Sequence, residues 1–187
     1  PAFKVGINRW LGYEPLYLAK HLEFYPDIDI VRLSSTLDVM RALRNGNLQA
    51  AGLTLDEALL LIHEGIDLDI VLLLDYSNGA DVITASPGVQ SLQDIKGKRI
   101  GVEMNAAGAF LLHGMLNKAG LSIGQVDVES MPVSHLAKAY SAGRIDLAVS
   151  YQPYAGQLVA QGMHPVFSSA DMPGQIVDVL VVRSDSV

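Results

Sequence analysis

The chain carries an internal repeat, and this repeat restricts the possible folds more than any other feature of the sequence. The segments Arg41–Gly65 and Lys138–Gly162 align without a gap at an offset of 97 residues, with six identities in 25 positions. Each copy has the pattern of a helix end closed by glycine, a short strand, and a second helix closed by glycine. Two copies are too few for a solenoid. The repeat therefore predicts two similar α/β lobes, with a cleft between them for a small molecule.

The composition indicates a folded chain and excludes several classes of function. Half of the 187 residues are hydrophobic and 18% are charged, which provides a sizeable core. The net charge of −7 argues against a nucleic-acid partner, which requires clustered lysine and arginine. The absence of cysteine excludes disulfides and thiol catalysis. The five histidines have no metal-binding spacing and no nucleophile elbow is present, so we expect no metal, no cofactor and no catalytic residue.

Short apolar runs alternate with amphipathic segments along the chain, which is the pattern of an α/β fold with mainly parallel sheets. We predict lobe one over residues 1–82 and 176–187 and lobe two over residues 83–175. The segments near 81–86 and 175–182 are predicted to cross between the lobes and to form a two-segment hinge.

Ligands of open α/β sheets bind beyond the carboxyl ends of the strands, which selects the loops that leave each predicted strand. The repeat places Thr54 in correspondence with Tyr151, and this supports both positions. The small-residue turn Asn105–Gly108 precedes a helix and could hold an anion on its backbone amides. The candidate ligand-binding residues share these strand-end positions and are Trp10, Gly12, Tyr13, Thr54, Asp56, Asp75, Ser77, Asn78, Glu103, Asn105, Ala107, Gly108, Tyr151 and Asp178.

The candidate set is acidic and includes the only tryptophan, which bears on the kind of ligand. Trp10 could stack on a flat molecule or pack against the helix that follows it. Asp56 has the position of an ordinary helix-start acid, whereas Asp75 and Glu103 follow strands. Buried carboxylates without a partner are costly, so they favour a ligand with hydrogen-bond donors or positive charge. The sequence therefore favours an amine-bearing heteroaromatic such as an aminopyrimidine, with an oxyanion as the alternative.

Several blocks of the sequence resemble the solute-binding proteins of ABC importers, in the branch for nitrate, sulfonates, taurine and thiamine-pyrimidine precursors. The resemblance runs along the whole chain and rests on five blocks: residues 10–19 (WLGYEPLYLA), 51–58 (AGLTLDEA), 75–81 (DYSNGAD), 96–103 (KGKRIGVE) and 176–183 (IVDVLVVR). It implies a type II periplasmic binding fold. In proteins of this kind, helices after the second crossing complete lobe one, so the resemblance also implies that the C-terminal part of lobe one is absent here. It also implies ligand contacts at Trp10, Tyr13, Thr54, Asp75 to Asn78, the Asn105–Gly108 turn and Tyr151.

The same resemblance implies a monomer that captures a small-molecule solute, is not an enzyme, and delivers the solute to an ABC permease in the membrane. It also implies a periplasmic or extracellular location, with or without a lipid anchor. Pro1 is not an initiator residue, so we expect that a signal peptide has been removed. Two other functions stay open at this point. One is an enzyme of menaquinone or thiamine synthesis on the same fold, and the other is a ligand-sensing domain of a signalling protein.

Overall fold

The computed structural model describes residues 2–104 and 107–186, which form two compact units. Unit 1 comprises Pro1–Tyr76 and Ile176–Val187, and unit 2 comprises Ser77–Gln175. The predicted lobes place residues 77–82 in lobe one, whereas the structure places them in unit 2. The reason is that the strand beginning at Asp81 pairs only with strands of unit 2.

Ten strands and six α-helices are found in the described part of the chain. The strands are β1 Phe3–Ile7, β2 Ile28–Arg32, β3 Ala50–Thr54, β4 Leu68–Tyr76, β5 Asp81–Ala85, β6 Arg99–Val102, β7 Asp127–Ser130, β8 Leu147–Tyr151, β9 His164–Ser168 and β10 Val177–Arg183. The helices are α1 Glu14–His21, α2 Thr36–Arg44, α3 Leu55–His63, α4 Ala107–Ala119, α5 Leu136–Ser141 and α6 Tyr154–Ala160. None of these helices is long and apolar enough to cross a membrane.

Each unit contains one five-stranded sheet, and the two sheets have the same topology. The strand order is β2-β1-β3-β10-β4 in unit 1 and β7-β6-β8-β5-β9 in unit 2. Strands β10 and β5 run antiparallel to both of their neighbours, while β1 and β6 are parallel to theirs. Four strands of each sheet therefore share one direction. This confirms the predicted α/β class with two similar, mainly parallel halves.

Unit 1 buries apolar side chains on both faces of its sheet. Ser35 caps the start of helix α2, because its hydroxyl accepts a hydrogen bond from the Asp38 amide at 3.1 Å. Val39 and Leu43 of this helix are fully buried, in a cluster with Leu53 of β3. The other face carries a cluster that includes Ile7 of β1 and Tyr13. Tyr13 is thereby packed against the edge of the sheet at which the carboxyl end of β3 lies.

The helices of the repeat end alike in both units. Gly65 after α3 has a φ of 90° and Gly162 after α6 has a φ of 96°. A side chain would strain the backbone in this left-handed region, so glycine ends each helix. Leu61 and its repeat partner Leu158 are fully buried on these helices. The repeated glycine and leucine residues thus have the same structural role in each unit.

Candidate functional site

A row of polar residues crosses the end of the unit 1 sheet. Asp178 of β10 lies opposite Thr54 of β3 on one side and opposite Asp75 of β4 on the other. Directly opposed residues of antiparallel strands point to the same face, so the three side chains are neighbours. We call Thr54, Asp178 and Asp75 the strand-end row. Asp178 is 2% exposed and Thr54 is 7% exposed, while Asp75 is half-buried.

The turn after β1 places two aromatic side chains on the strand-end row. The Asn8 side chain accepts a hydrogen bond from the Trp10 amide at 2.8 Å and donates one to Thr36 Oγ1 at 2.6 Å, which anchors the turn to α2. Trp10 Nε1 donates to Asp75 Oδ2 at 3.2 Å, and Tyr13 Oη donates to Asp178 Oδ1 at 2.7 Å. Both carboxyl groups are therefore held by aromatic donors from one turn.

Two glycines leave the room that this arrangement needs. A Cβ atom on Gly12 would lie 1.5 Å from Asp75 Oδ2 and 2.4 Å from Trp10 Nε1. A Cβ atom on Gly52 would lie 3.1 Å from the ring of Tyr13. Gly12 therefore permits the contact between tryptophan and carboxylate, and Gly52 lets the Tyr13 ring lie close to the sheet.

Helix α3 begins at the strand-end row and adds a third carboxylate. Glu57 Oε2 accepts a hydrogen bond from the Thr54 amide at 2.9 Å, and Glu57 is 3% exposed. This is half of a capping box, which satisfies an amide at the start of the helix. Among the described residues, no group accepts the hydroxyl proton of Thr54.

Burial dominates the electrostatics of the strand-end row. Burial, followed by the charges of Asp75 and Glu57, raises the pKa of Asp178 to about 9, although the hydrogen bond from Tyr13 acts in the opposite direction. Burial and the nearby Asp178 carboxyl also raise the pKa of the Tyr13 hydroxyl well above its usual value. At neutral pH, Asp178 is therefore protonated and Tyr13 remains a hydrogen-bond donor.

The structure brings together most of the site residues that the sequence predicted in unit 1. Those found in or against the strand-end row are Trp10, Gly12, Tyr13, Thr54, Asp75 and Asp178. Asp56 is different, because it lies half-buried in the first turn of α3 and has no hydrogen bond to the row within the described part of the chain. Its position suits a favourable interaction with the helix dipole.

The predicted residues of unit 2 lie at strand ends but are less closely linked. Ser77 is 2% exposed, and its hydroxyl lies 2.8 Å from Ser169 Oγ and accepts a hydrogen bond from the Asp81 amide at 3.2 Å. Asn78 is exposed beside it. Glu103, at 7% exposure, follows β6. The Ser77 hydroxyl is thus engaged within unit 2.

The remaining predicted residues of unit 2 lie at a helix start and at the end of a strand. Ala107 and Gly108 form the start of α4, and Asn105 lies outside the described residues. Tyr151 ends β8 and packs edge-to-face on Tyr154 with ring centroids 5.5 Å apart. Ser150, next to Tyr151, is 4% exposed, and its hydroxyl has no partner within residues 2–104 and 107–186.

The sequence prediction missed Asn8, Glu57 and Asp81. Asp81 lies opposite Tyr151 just as Asp178 lies opposite Thr54, and the 97-residue offset relates both pairs. Asp81 is 7% exposed. Extending the repeat to the Asp-Val dipeptides that begin at positions 81 and 178 would have identified it. The Thr-x-x-Glu pattern at Thr54 would have identified Glu57.

A separate surface cavity of about 330 Å³ lies beside α5 in unit 2. It is lined by Met131, His135, Lys138, Ala139, Ala142 and Arg144. None of the predicted site residues lines it, and Arg144 is already paired with Glu129 at 2.6 Å. No group of three or more His, Asp or Glu residues that could hold a metal ion occurs among the described residues.

Solved structures with a similar fold include binding components of import systems. The chain resembles the ligand-binding component of an ABC-type import system from Staphylococcus aureus, with a TM-score of 0.84 and 19% identity over 98% of this chain and 66% of that one. It resembles the alkanesulfonate-binding protein SsuA of Xanthomonas axonopodis pv. citri, with a TM-score of 0.83 and 20% identity over 99% of this chain and 66% of that one. These likenesses confirm the predicted fold of periplasmic binding proteins.

Sequence comparison gives the same assignment. The chain is 24% identical over 162 residues to the taurine-binding periplasmic protein of Escherichia coli K12, which covers 84% of this chain. It spans only 50% of the length of that relative. The model of the NMT1-like family matches residues 1–187. The chain therefore belongs to the NMT1-like family.

Proposed function

We propose that this chain is the solute-binding component of an ABC importer and that its solute is a small organic molecule with an amine group. It would work in the periplasm, where the name of the taurine-binding relative places that protein, or outside the cell, and would deliver the solute to a membrane permease. The observation that carries the ligand class is the strand-end row, where two carboxyl groups lie side by side next to Trp10. An ammonium or amino group would supply the donors that these carboxyl oxygens can accept.

The half-buried Trp10 supports a flat, heteroaromatic amine such as an aminopyrimidine. Its indole nitrogen is fixed by Asp75, so the ring is oriented before any ligand arrives. A fixed aromatic face loses little conformational freedom when it stacks on a planar ligand. Stacking on Trp10 and a hydrogen bond to Asp75 would then act on the same molecule.

An oxyanion ligand is the second candidate, and the names of the relatives favour it. The relatives include proteins for taurine, alkanesulfonates and nitrate. Taurine carries both an ammonium and a sulfonate group, so both hypotheses are compatible with taurine binding. In this chain, the unpartnered hydroxyl of buried Ser150 is a donor for an anion.

A thermal-shift screen with matched ligand pairs tests the amine hypothesis. The pairs are taurine with ethanesulfonate, and 4-aminopyrimidine with pyrimidine, with nitrate as a bare anion. A ligand at 100 times its Kd adds about 2.7 kcal/mol, which raises the Tm of a chain of this size by about 5–10 °C. We expect a shift only with the amine-bearing member of each pair. Equal shifts with ethanesulfonate would support the oxyanion instead, and no shift with any compound would count against both.

Variants of the turn and the row locate the binding. Asp75→Asn should abolish the shift by removing the charge, and Gly12→Ala should do so by displacing Asp75 and Trp10. Trp10→Ala should weaken 4-aminopyrimidine more than taurine. The exposed Asp127→Asn on β7 is the matched control and should bind like the parent chain. Retention of full affinity in Asp75→Asn would place the ligand elsewhere.

A further inference from the structure

The hydrogen bonds of the strand-end row leave one carboxyl oxygen without a donor. Asp75 Oδ2 accepts from Trp10, and Asp178 Oδ1 accepts from Tyr13. Asp75 Oδ1 is buried and has no partner among the described residues. A buried carboxylate oxygen without a donor is costly, so an explanation is required.

The register supplies the missing donor. Asp178 lies directly opposite Asp75 on the neighbouring strand, so its second carboxyl oxygen is the nearest candidate group. If Asp178 carries a proton, that oxygen can donate to Asp75 Oδ1. Two adjacent carboxyl groups in a site of low polarity do not both ionise, and one retains a proton. A single proton therefore satisfies both residues.

Of the titratable groups that face Asp178, the two acids favour retention of this proton, and the hydrogen bond from Tyr13 opposes it. These groups are Tyr13 from the turn after β1, Asp75 from β4 and Glu57 from α3. None of them is cationic. Tyr13 is a phenol that remains protonated, and Glu57 is engaged with the Thr54 amide. Burial and the two neighbouring acids outweigh the hydrogen bond from Tyr13 and raise the pKa of Asp178 to about 9, so the proton is present at neutral pH.

We propose that Asp75 and Asp178 share one proton in the empty protein, and that an ammonium-bearing solute displaces this proton into solvent as it binds. This inference rests on the proposed function, because it assumes a solute with an amine. In the step, the bond between the proton and the Asp178 carboxyl breaks and water or buffer takes up the proton. The ammonium then donates hydrogen bonds to two carboxylates, so one positive charge replaces another.

Thr54 gives a second, independent indication that a ligand group enters the row. It lies opposite Asp178 on the side away from Asp75, is 7% exposed, and its hydroxyl oxygen has no hydrogen-bond partner among the described residues. An incoming ammonium group has three donors, and the row offers Asp75, Asp178 and the Thr54 hydroxyl as acceptors. A proton occupies only the contact between Asp75 and Asp178, so it leaves Thr54 unsatisfied, whereas an ammonium group can reach all three.

Displacement makes binding depend on pH in a defined way. Because one proton leaves when one cation enters, the affinity for a primary amine that stays protonated over this pH range should rise about tenfold per pH unit below the pKa of Asp178. A neutral molecule or an anion would bind without releasing a proton. The shared proton would thus make the affinity for a cationic solute rise with pH, and leave the affinity for a neutral solute unchanged.

The empty protein provides the first test. The infrared spectrum at pH 7.5 should contain the absorption of a protonated carboxylic acid, and this absorption should be lost in Asp178→Asn. Asp127→Asn, an exposed acid in unit 2, should retain it. A spectrum of the parent chain without a protonated carboxyl at pH 7.5 would overturn the shared proton, whatever the solute is.

Calorimetry with taurine provides the second test, since its amine is charged at pH 7.5. Titrations in phosphate and in Tris, which have different ionisation enthalpies, should show about one proton released per taurine in the parent chain. Asp178→Asn should release none. Taurine binding without proton release would overturn the displacement step alone. Failure of taurine to bind, with the infrared signal present, would overturn displacement by this ammonium and count against the proposed function.

Discussion

Asp178 shows how a single buried side chain can lower stability to create a reactive position. Its pKa is raised from the ordinary 3.8 to about 9 by burial and neighbouring acids. The folded chain then binds a proton that the unfolded chain has already lost. The contribution of Asp178 to stability is therefore most favourable below pH 3.8 and falls by about 1.4 kcal/mol per pH unit as the pH rises toward 9. Such a cost at a strand end suggests a role beyond packing.

Asp178→Asn should increase the stability of the empty protein. The amide has the shape of the protonated acid, so its nitrogen can donate to Asp75 and its oxygen can accept from Tyr13. We expect the free energy of unfolding to rise by about 2–4 kcal/mol at pH 7, with a smaller gain at pH 5. Urea unfolding at pH 5, 7 and 9 measures this. An equal loss of stability at every pH would contradict it.

Asp146→Asn is the matched control, and we expect it to lower the stability that Asp178→Asn raises. The Arg99 side chain lies 2.8 Å from Asp146 and lowers the pKa of that carboxyl. The contribution of Asp146 to stability is present above its ordinary pKa and disappears as the pH falls below it. Since the pair is partly exposed, its removal should cost no more than about 1 kcal/mol at pH 7.

At the scale of elements, β4 is unusual because it is an apolar strand at the edge of the unit 1 sheet. Its exposed side chains include Val71 at 54%, Leu72 at 50% and Leu73 at 59%. An exposed, apolar edge strand offers unpaired backbone groups to other chains. The 187-residue chain should therefore associate with itself through β4 as its concentration rises.

The double variant Leu72→Lys and Leu73→Lys should reduce this association. Charge on an edge strand opposes pairing, and exposed positions tolerate lysine at a cost of about 0.5 kcal/mol or less. Light scattering against concentration measures association, and thermal unfolding checks the fold. Ile123→Lys, at a position 53% exposed outside the sheets, is the control and should change neither. Unchanged scattering in the double variant would show that β4 is not the contact.

The alternating pattern of the sequence predicted the α/β class, but it does not reveal strand β9, and this has a physical cause. Strand β9 contains Pro165, which lacks an amide hydrogen and argues against a strand in the middle of a sheet. In the structure, β9 is an edge strand, where a missing donor is tolerated. Its pairing with β5 also shifts register between Ile83 and Thr84. Local pattern alone does not reveal which strands lie at an edge.

At the scale of the whole chain, the repeat predicted two similar halves but gave only part of the candidate site. It selected Thr54 and Tyr151, and the strand-end argument added Asp75 and Asp178. It did not show that Asp75 and Asp178 are adjacent. They are 103 positions apart in the sequence and become neighbours only because β10 pairs with β4. Long-range antiparallel pairing of this kind is set by the tertiary fold. The shared proton could be inferred only after that register was known.

The order of strands predicts how the two units behave when separated. All five strands of the unit 2 sheet lie within Ser77–Gln175, whereas the unit 1 sheet needs β10 from Ile176–Val187 between β3 and β4. A fragment of residues 77–175 should therefore fold alone and unfold cooperatively in urea. A fragment of residues 1–76 should not, because β4 has no neighbour to pair with.

Circular dichroism of each fragment measures this folding behaviour. Addition of a peptide of residues 176–187 to fragment 1–76 should restore the circular dichroism signal of β-strands. A cooperative transition in fragment 1–76 alone would show that β10 is dispensable.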